Sequence, residues 1–286
     1  MKLRMQISRI VFFIPALSLV AIFILYPAIN TIYVSLFTPA GKFDPIASYT
    51  SALGRREIVD PKGFSRGFPL GALVHNFTWI LIHLPLTVFL GLILAIILKN
   101  VKGGGIIRSM VFLGMVVPMA VGGLIVRFIF DKDLGIINAF LAFFGVVPKS
   151  WTAHPESALF ALILGSVWLW TGFSLVLYSS GLQTIPKDYY EAAKVDGATP
   201  LRMFFSITLP LLRPITAVVT VMTIIWELKI FGLVYTATMG GPGGASNVLA
   251  LQMYVDAFRN FNFNSAAVVA TVLLILTMVF AIPLIR

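Results

Sequence analysis

The 286-residue chain is 59% hydrophobic and 11% charged, with a mean hydropathy of +0.97, against about 45–50% apolar and roughly 25% charged in soluble domains. Such a composition in water would leave large exposed apolar patches, whereas lipid makes the same surface favourable, so the chain is a membrane protein. The absence of cysteine excludes disulfide frameworks and thiolate metal sites. The formal charge of +10 comes without a basic face on a soluble module, so no nucleic-acid partner is expected.

Apolar runs of spanning length, about 17–25 residues, occur at 10–37, 71–98, 107–130, 157–182, 210–235 and 264–285. They predict an all-α polytopic protein: one transmembrane domain over 1–286 with six membrane helices. Lys2, Arg4 and Arg9 open the first run like a secretory signal, but the apolar stretch is long and Tyr26-Pro27 follows it instead of a small-residue cleavage site, so it reads as a retained span. With the N-terminus inside, the cytoplasmic pieces hold 11 Lys and Arg and the outer loops 8. This bias favours both termini in the cytoplasm of a cell-membrane protein.

His75 and His83 share the second run, about 80° apart around a helix, which argues against a metal pair and for packing or a polar contact. His154 stands apart. Pro15, Pro27, Pro85 and Pro118 fall within spans and predict kinks, which suit either a moving pathway or static packing. No internal repeat is visible, so a single-chain inverted-repeat carrier is disfavoured, and the other half of a pathway would come from another subunit.

The segment 183–209 lies between the fourth and fifth spans. Pro186 suits the first position of a short helix and Gly197 a left-handed end to it. Thr199 then caps a second helix before Pro210 at the start of the fifth span. Short side chains, Ala192, Ala193 and Ala198, stand beside Glu191, Lys194 and Asp196. On physical grounds this corner is either a docking surface for a partner or a plain re-entrant connector.

The order Glu191-Ala192-Ala193, three residues, Gly197, nine residues, Ile207, one residue, Leu209-Pro210 resembles the cytoplasmic signature of the permease subunits of binding-protein-dependent ABC importers. Residues 226–258, with Gly240-Gly241-Pro242-Gly243-Gly244, resemble the carbohydrate-type permeases of the maltose and glycerol-phosphate importers, as does NTIYVSLF over 30–37. The resemblance spans about 10–285. It implies half of a translocation pathway for a sugar, paired with a second permease subunit, two ATPase subunits and an extracellular solute-binding protein. It also implies that Glu191, Ala192, Ala193, Asp196, Gly197 and Ala198 couple to the ATPase, Glu191 as a polar contact and Gly197 as the bend. The chain has no G-x-x-x-x-G-K-[ST] loop, so ATP and its Mg are expected on the partner ATPase and no cofactor or metal on this chain. A stand-alone channel or secondary carrier is the alternative. An intramembrane enzyme is disfavoured for want of a workable catalytic pair.

Glu227 and Lys229 lie in the fifth run, where a charge must face protein or water. They point about 200° apart and do not pair with each other; Arg127 is the candidate partner for Glu227. They are either a structural ion pair or a sugar contact. Trp168, Trp170, Trp226, Phe231 and Tyr235 could stack on a sugar ring or belong to interfacial aromatic belts.

Overall fold

The structure is a computed structural model that describes residues 13–99 and 101–285. The charged start, Lys2, Arg4 and Arg9, the first residues of the first predicted span, and Arg286 lie outside the described residues. Four helices are long and apolar enough to cross a membrane, and six spans result if two sharply bent pairs each count as one. Contacts among the described residues group them into two compact units, one of the residues up to 55 with 252–274, the other of 56–251 with the residues from 275 on.

The first unit holds α1 (Phe13–Ser35) and α2 (Pro45–Leu53). A π-helical turn, Ala21–Leu25, directly precedes Pro27 in α1. Asp44 caps α2 by accepting the Ala47 N–H at 3.0 Å, and Pro45 occupies the first turn, where its missing N–H is harmless. Ser48 donates to the Ser35 and Phe37 carbonyls at the frayed end of α1 (2.8 and 3.0 Å). Asp256, fully buried, takes a two-pronged ion pair from Arg55 and a further bond from Gln252.

The second unit is built around α7 (Pro155–Thr184), a 30-residue helix that is polar enough in its small residues to be packed on nearly every side. Its neighbours are α3 (Ala72–Ile97), α4 (Gly104–Val116), α5 (Met119–Ile129) and α10 (Arg213–Leu228). Between helices in lipid the apolar effect is weak, and close backbone approach through small residues takes its place. Gly172 lets the α4 backbone at Val111 and Phe112 approach α7. Gly91 of α3 sits where an added Cβ would collide with Ser174 and the Leu175 backbone. Ser166 and Thr171 return their hydroxyls to the Ile163 and Val167 carbonyls within α7.

Two spans read as continuous are broken. The 107–130 run is α4 and α5, at 104° to each other. Pro118 stands at the break in extended conformation and starts α5, since it cannot donate into the preceding turn. The 210–235 run begins differently too: Pro210 lies inside α9 (Pro200–Leu211), and the 64° bend falls at Leu212, before Pro214. α10 then stops at Leu228, and a separate short helix, α11 (Gly232–Ala237), follows. Short helices α6 (Ile136–Ala142) and α12 (Leu249–Phe258) occupy stretches that read as outer loops, and α13 (Phe263–Ile285) closes the chain.

Gly91→Val is expected to destabilise the chain by about 1–3 kcal/mol through overpacking against α7. Gly105→Ala, at a helical position with open space around it, should leave stability unchanged or slightly raised. Thermal unfolding of the detergent-purified chain distinguishes the two, and equal melting temperatures for both variants would refute close α3–α7 packing.

Candidate functional site

Two places gather the residues that carry chemistry. The first is the corner after α7. Its short helix, α8 (Lys187–Val195), begins one residue later than the sequence suggests, with Pro186 just outside it in extended conformation. Asp188 in the first turn and Lys194 in the last complement the helix dipole. At the other end the Gly197 N–H bonds to the Lys194 carbonyl (3.0 Å) and the Ala198 N–H reaches back to Ala193 (2.8 Å), with Gly197 at φ +75°. This paired closure demands a left-handed residue, and glycine adopts it without strain. An added Cβ would meet nothing, so the requirement for glycine is conformational and not a matter of space. Thr199 accepts the Arg202 N–H and starts α9.

The corner's outer side is open: Glu191, Ala192, Asp196 and Gly197 are exposed, and Val195 and Leu201 keep 88% and 68% of their surface in solvent. Its inner side is anchored. Tyr190 packs against a buried cluster of α3, α7 and α10 side chains that includes Leu98, Leu182, Ile185 and Leu212. Its hydroxyl bonds to the buried Thr208 Oγ1 at 2.9 Å, and the Lys99 ammonium lies over its ring at 5.7 Å. Sequence reading missed Tyr190 and Thr208. The signal for Tyr190 is a tyrosine pair in an otherwise small, polar helix, of which Tyr189 is exposed and Tyr190 is half-buried.

The second place is a polar seam between α3 and α10. His83 Nδ1 and Glu227 Oε1 are 2.6 Å apart, with both side chains buried. Arg127 is therefore not the partner of Glu227: it lies at the exposed end of α5 and lines a cleft with Tyr235, Thr238, Gly241 and Pro242. The α3–α10 crossing brings the buried histidine to the carboxylate, which a solvated arginine at a helix end has no need to reach. Asn76, two turns before His83, donates to the Glu227 carbonyl (3.2 Å) and accepts the Leu249 N–H (2.8 Å). His75 bonds to the Asn247 carbonyl and the Leu70 N–H. Asn76, His83 and Thr87 follow one another at 7 and 4 residues and are all buried, a single-faced stripe that could have named the partner.

The aromatic candidates do not converge. Trp226 stacks on Trp170 (4.5 Å between centroids) and meets Phe173 edge-on. Phe231 and Tyr235 stack on each other at 5.3 Å, Tyr235 at the Arg127 cleft of about 580 Å³. Trp168 lines a separate apolar groove with Leu90, Met110 and Val111. Lys229 is exposed at the end of α10. The glycine loop is closed on itself, since Ser246 Oγ donates to the Gly241 carbonyl (2.6 Å) and shares a hydrogen bond with Thr238. Below the cleft, Asp131 accepts the Leu134 and Asp133 N–H groups, which hold its carboxyl below the usual range.

Residues 87–286, which take in the corner, the last part of α3 and all of α7 and α10, match the binding-protein-dependent transport system inner membrane components. The chain belongs to that family. It is 51% identical to a probable ABC transporter permease protein of Pyrococcus horikoshii over 99% of both chains. It is 33% identical to the trehalose/maltose transport system permease protein MalF of Thermococcus litoralis over 92% of this chain and 88% of the relative. A bacterial ABC transporter that imports the acidic polysaccharide alginate has the same fold, with a TM-score of 0.78 over 99% of this chain and 96% of that one at 20% identity. The chain is thus an ABC importer permease, and the corner and the seam are features of a transport subunit.

His83→Leu leaves the Glu227 carboxyl buried without its partner, and the expected loss of stability is about 1–3 kcal/mol. Replacing both, His83→Leu with Glu227→Leu, should recover most of it. Additive losses in thermal unfolding of the two single variants and the double variant would show that the pair is not coupled.

Proposed function

We propose that this chain is the permease subunit of an ATP-driven importer for a di- or oligosaccharide, contributing half of the pathway beside a second, different permease. Two ATPase subunits, which carry the ATP and Mg, drive it, and an extracellular solute-binding protein delivers the sugar. The substrate class is supported by relatives whose names specify trehalose and maltose, lactose and alpha-glucosides. Orientation follows from the Lys and Arg bias, with both termini and the α8 corner in the cytoplasm of the cell membrane.

The observation that carries the reading is the corner's two-sidedness. Glu191, Ala192, Ala193, Asp196, Gly197 and Ala198 form a stiff, small-featured surface, and Tyr190 on the same helix is fastened through Thr208 to the packed ends of α3, α7 and α10. A motor that closes around the outer side would thereby move the helix ends together, as rigid-body alternating access requires. For the sugar, Trp226, Glu227, Phe231 and Tyr235 remain the candidates of α10 and α11. Lys229, exposed at the end of α10, and Trp168, on a separate apolar groove, are weaker ones.

Gly197→Pro and Glu191→Lys are each expected to reduce, by tenfold or so on the scale of a lost charge-assisted contact, the stimulation of the ATPase by sugar-loaded binding protein. Membrane insertion should stay intact. Full stimulation in both variants, or sugar uptake by the purified chain without ATP, would overturn the proposal.

A further inference from the structure

Behind α8 lies a cavity of about 440 Å³ that the coupling role does not use. Tyr190 and Lys194, one helical turn apart, face it from α8, and Lys99 faces it from the end of α3; Ile96, Leu182, Met203 and Phe204 supply the apolar wall. The coupling residues of α8, Glu191, Ala192 and Ala193, take no part in the lining. A lysine near a helix C-terminus is ordinary. Here two such lysines, from different helices, meet at one cavity whose wall includes no Asp or Glu, and neither makes an ion pair among the described residues. Thr208 and Tyr190 add hydroxyls at the same wall. Ile96 borders the exposed Ile97, which keeps 57% of its surface uncovered on an α3 long and apolar enough to span a membrane, so the cavity adjoins surface suited to acyl chains.

We propose that this cavity binds an anionic phospholipid of the inner leaflet, its phosphate between Lys99 and Lys194 and its acyl chains along Ile96 and Ile97, bracing α8 from behind. The proposal rests on the reading that α8 lies at the cytoplasmic membrane face. Charge and lining select the ligand: two ammonium groups without an acidic partner call for an anion, and an apolar wall beside a lipid-facing helix calls for one that carries a hydrocarbon tail.

The test is native mass spectrometry of the full-length chain released from nanodiscs of phosphatidylcholine with and without phosphatidylglycerol, independent of any ATPase. The wild-type chain is expected to retain phosphatidylglycerol in preference to phosphatidylcholine. Removing each charge should weaken retention about fivefold, so Lys99→Gln with Lys194→Gln together lose most of it. Lys187→Gln with Arg202→Gln, which removes two basic residues of the same corner outside the cavity, should retain the lipid like wild type. Equal retention in the Lys99/Lys194 variant, equal loss in the Lys187/Arg202 variant, or displacement of the lipid by inorganic phosphate would each overturn the proposal. Because retention is read on the purified chain, a failed coupling assay with normal retention would count against the importer mechanism and not against the lipid site.

Discussion

Hydrocarbon offers no water to backbone N–H and C=O groups, so wherever a spanning segment of this chain breaks, a side chain must take the place of the lost helical bond. The end of α10 shows this, and side-chain hydrogen bonds also stand beside the other two breaks of the 56–251 unit. After Pro118 interrupts the third segment, Thr236 donates its hydroxyl to the Ala120 carbonyl at 2.8 Å. At the Leu212 bend, the Leu212 carbonyl takes both the N–H and the hydroxyl of Thr216, and Tyr178 donates to that hydroxyl in turn. Where α10 stops, Asn76 accepts from the first turn of α12 and donates to the Glu227 carbonyl.

The same constraint bears on how the proposed coupling would transmit force through the bundle. Unbroken helices packed by glycine, as α7 is against α3 and α4, behave as rigid bodies. Breaks stabilised by single hydrogen bonds are the places where those bodies can turn. The α8 corner adds a handle: a short helix locked at one end by the Gly197 closure and pinned to the bundle through Tyr190 and Thr208. Its exposed Val195 and Leu201 would be a liability in water without a partner to cover them.

Much of this was legible in the sequence, and what escaped did so for definable reasons. The apolar runs, the left-handed Gly197 and the Thr199 cap follow from local chemistry that needs only a few neighbouring residues, and the structure shows the last two in place. The family signature was legible because its residues serve backbone geometry and an outward surface, both local. A kink at Pro118 was legible from the proline, though not that it turns the chain by 104°; the breaks at Leu212 and Lys229 were not, because hydropathy summed over a span-sized window is as high across an apolar bend as along a straight helix. The partner of Glu227 was misread for another reason: pairing depends on which helices cross, and the nearest cation in the outer half, Arg127, satisfies its charge in solvent. The Asn76, His83, Thr87 stripe held the answer but pays no signal in a search for opposite charges.

The grip of an external motor on the α8 corner is tested most directly by cross-linking. The chain has no cysteine, so Val195→Cys introduces a single thiol at the most exposed apolar point of the corner, and the assembled transporter can be treated in membranes with a short thiol-to-amine cross-linker. A covalent adduct to the ATPase subunit, its yield changing when nucleotide is added, is the expected result. A thiol that stays freely reactive toward a soluble reagent in the assembled transporter, with no adduct to the ATPase in any nucleotide state, would contradict it.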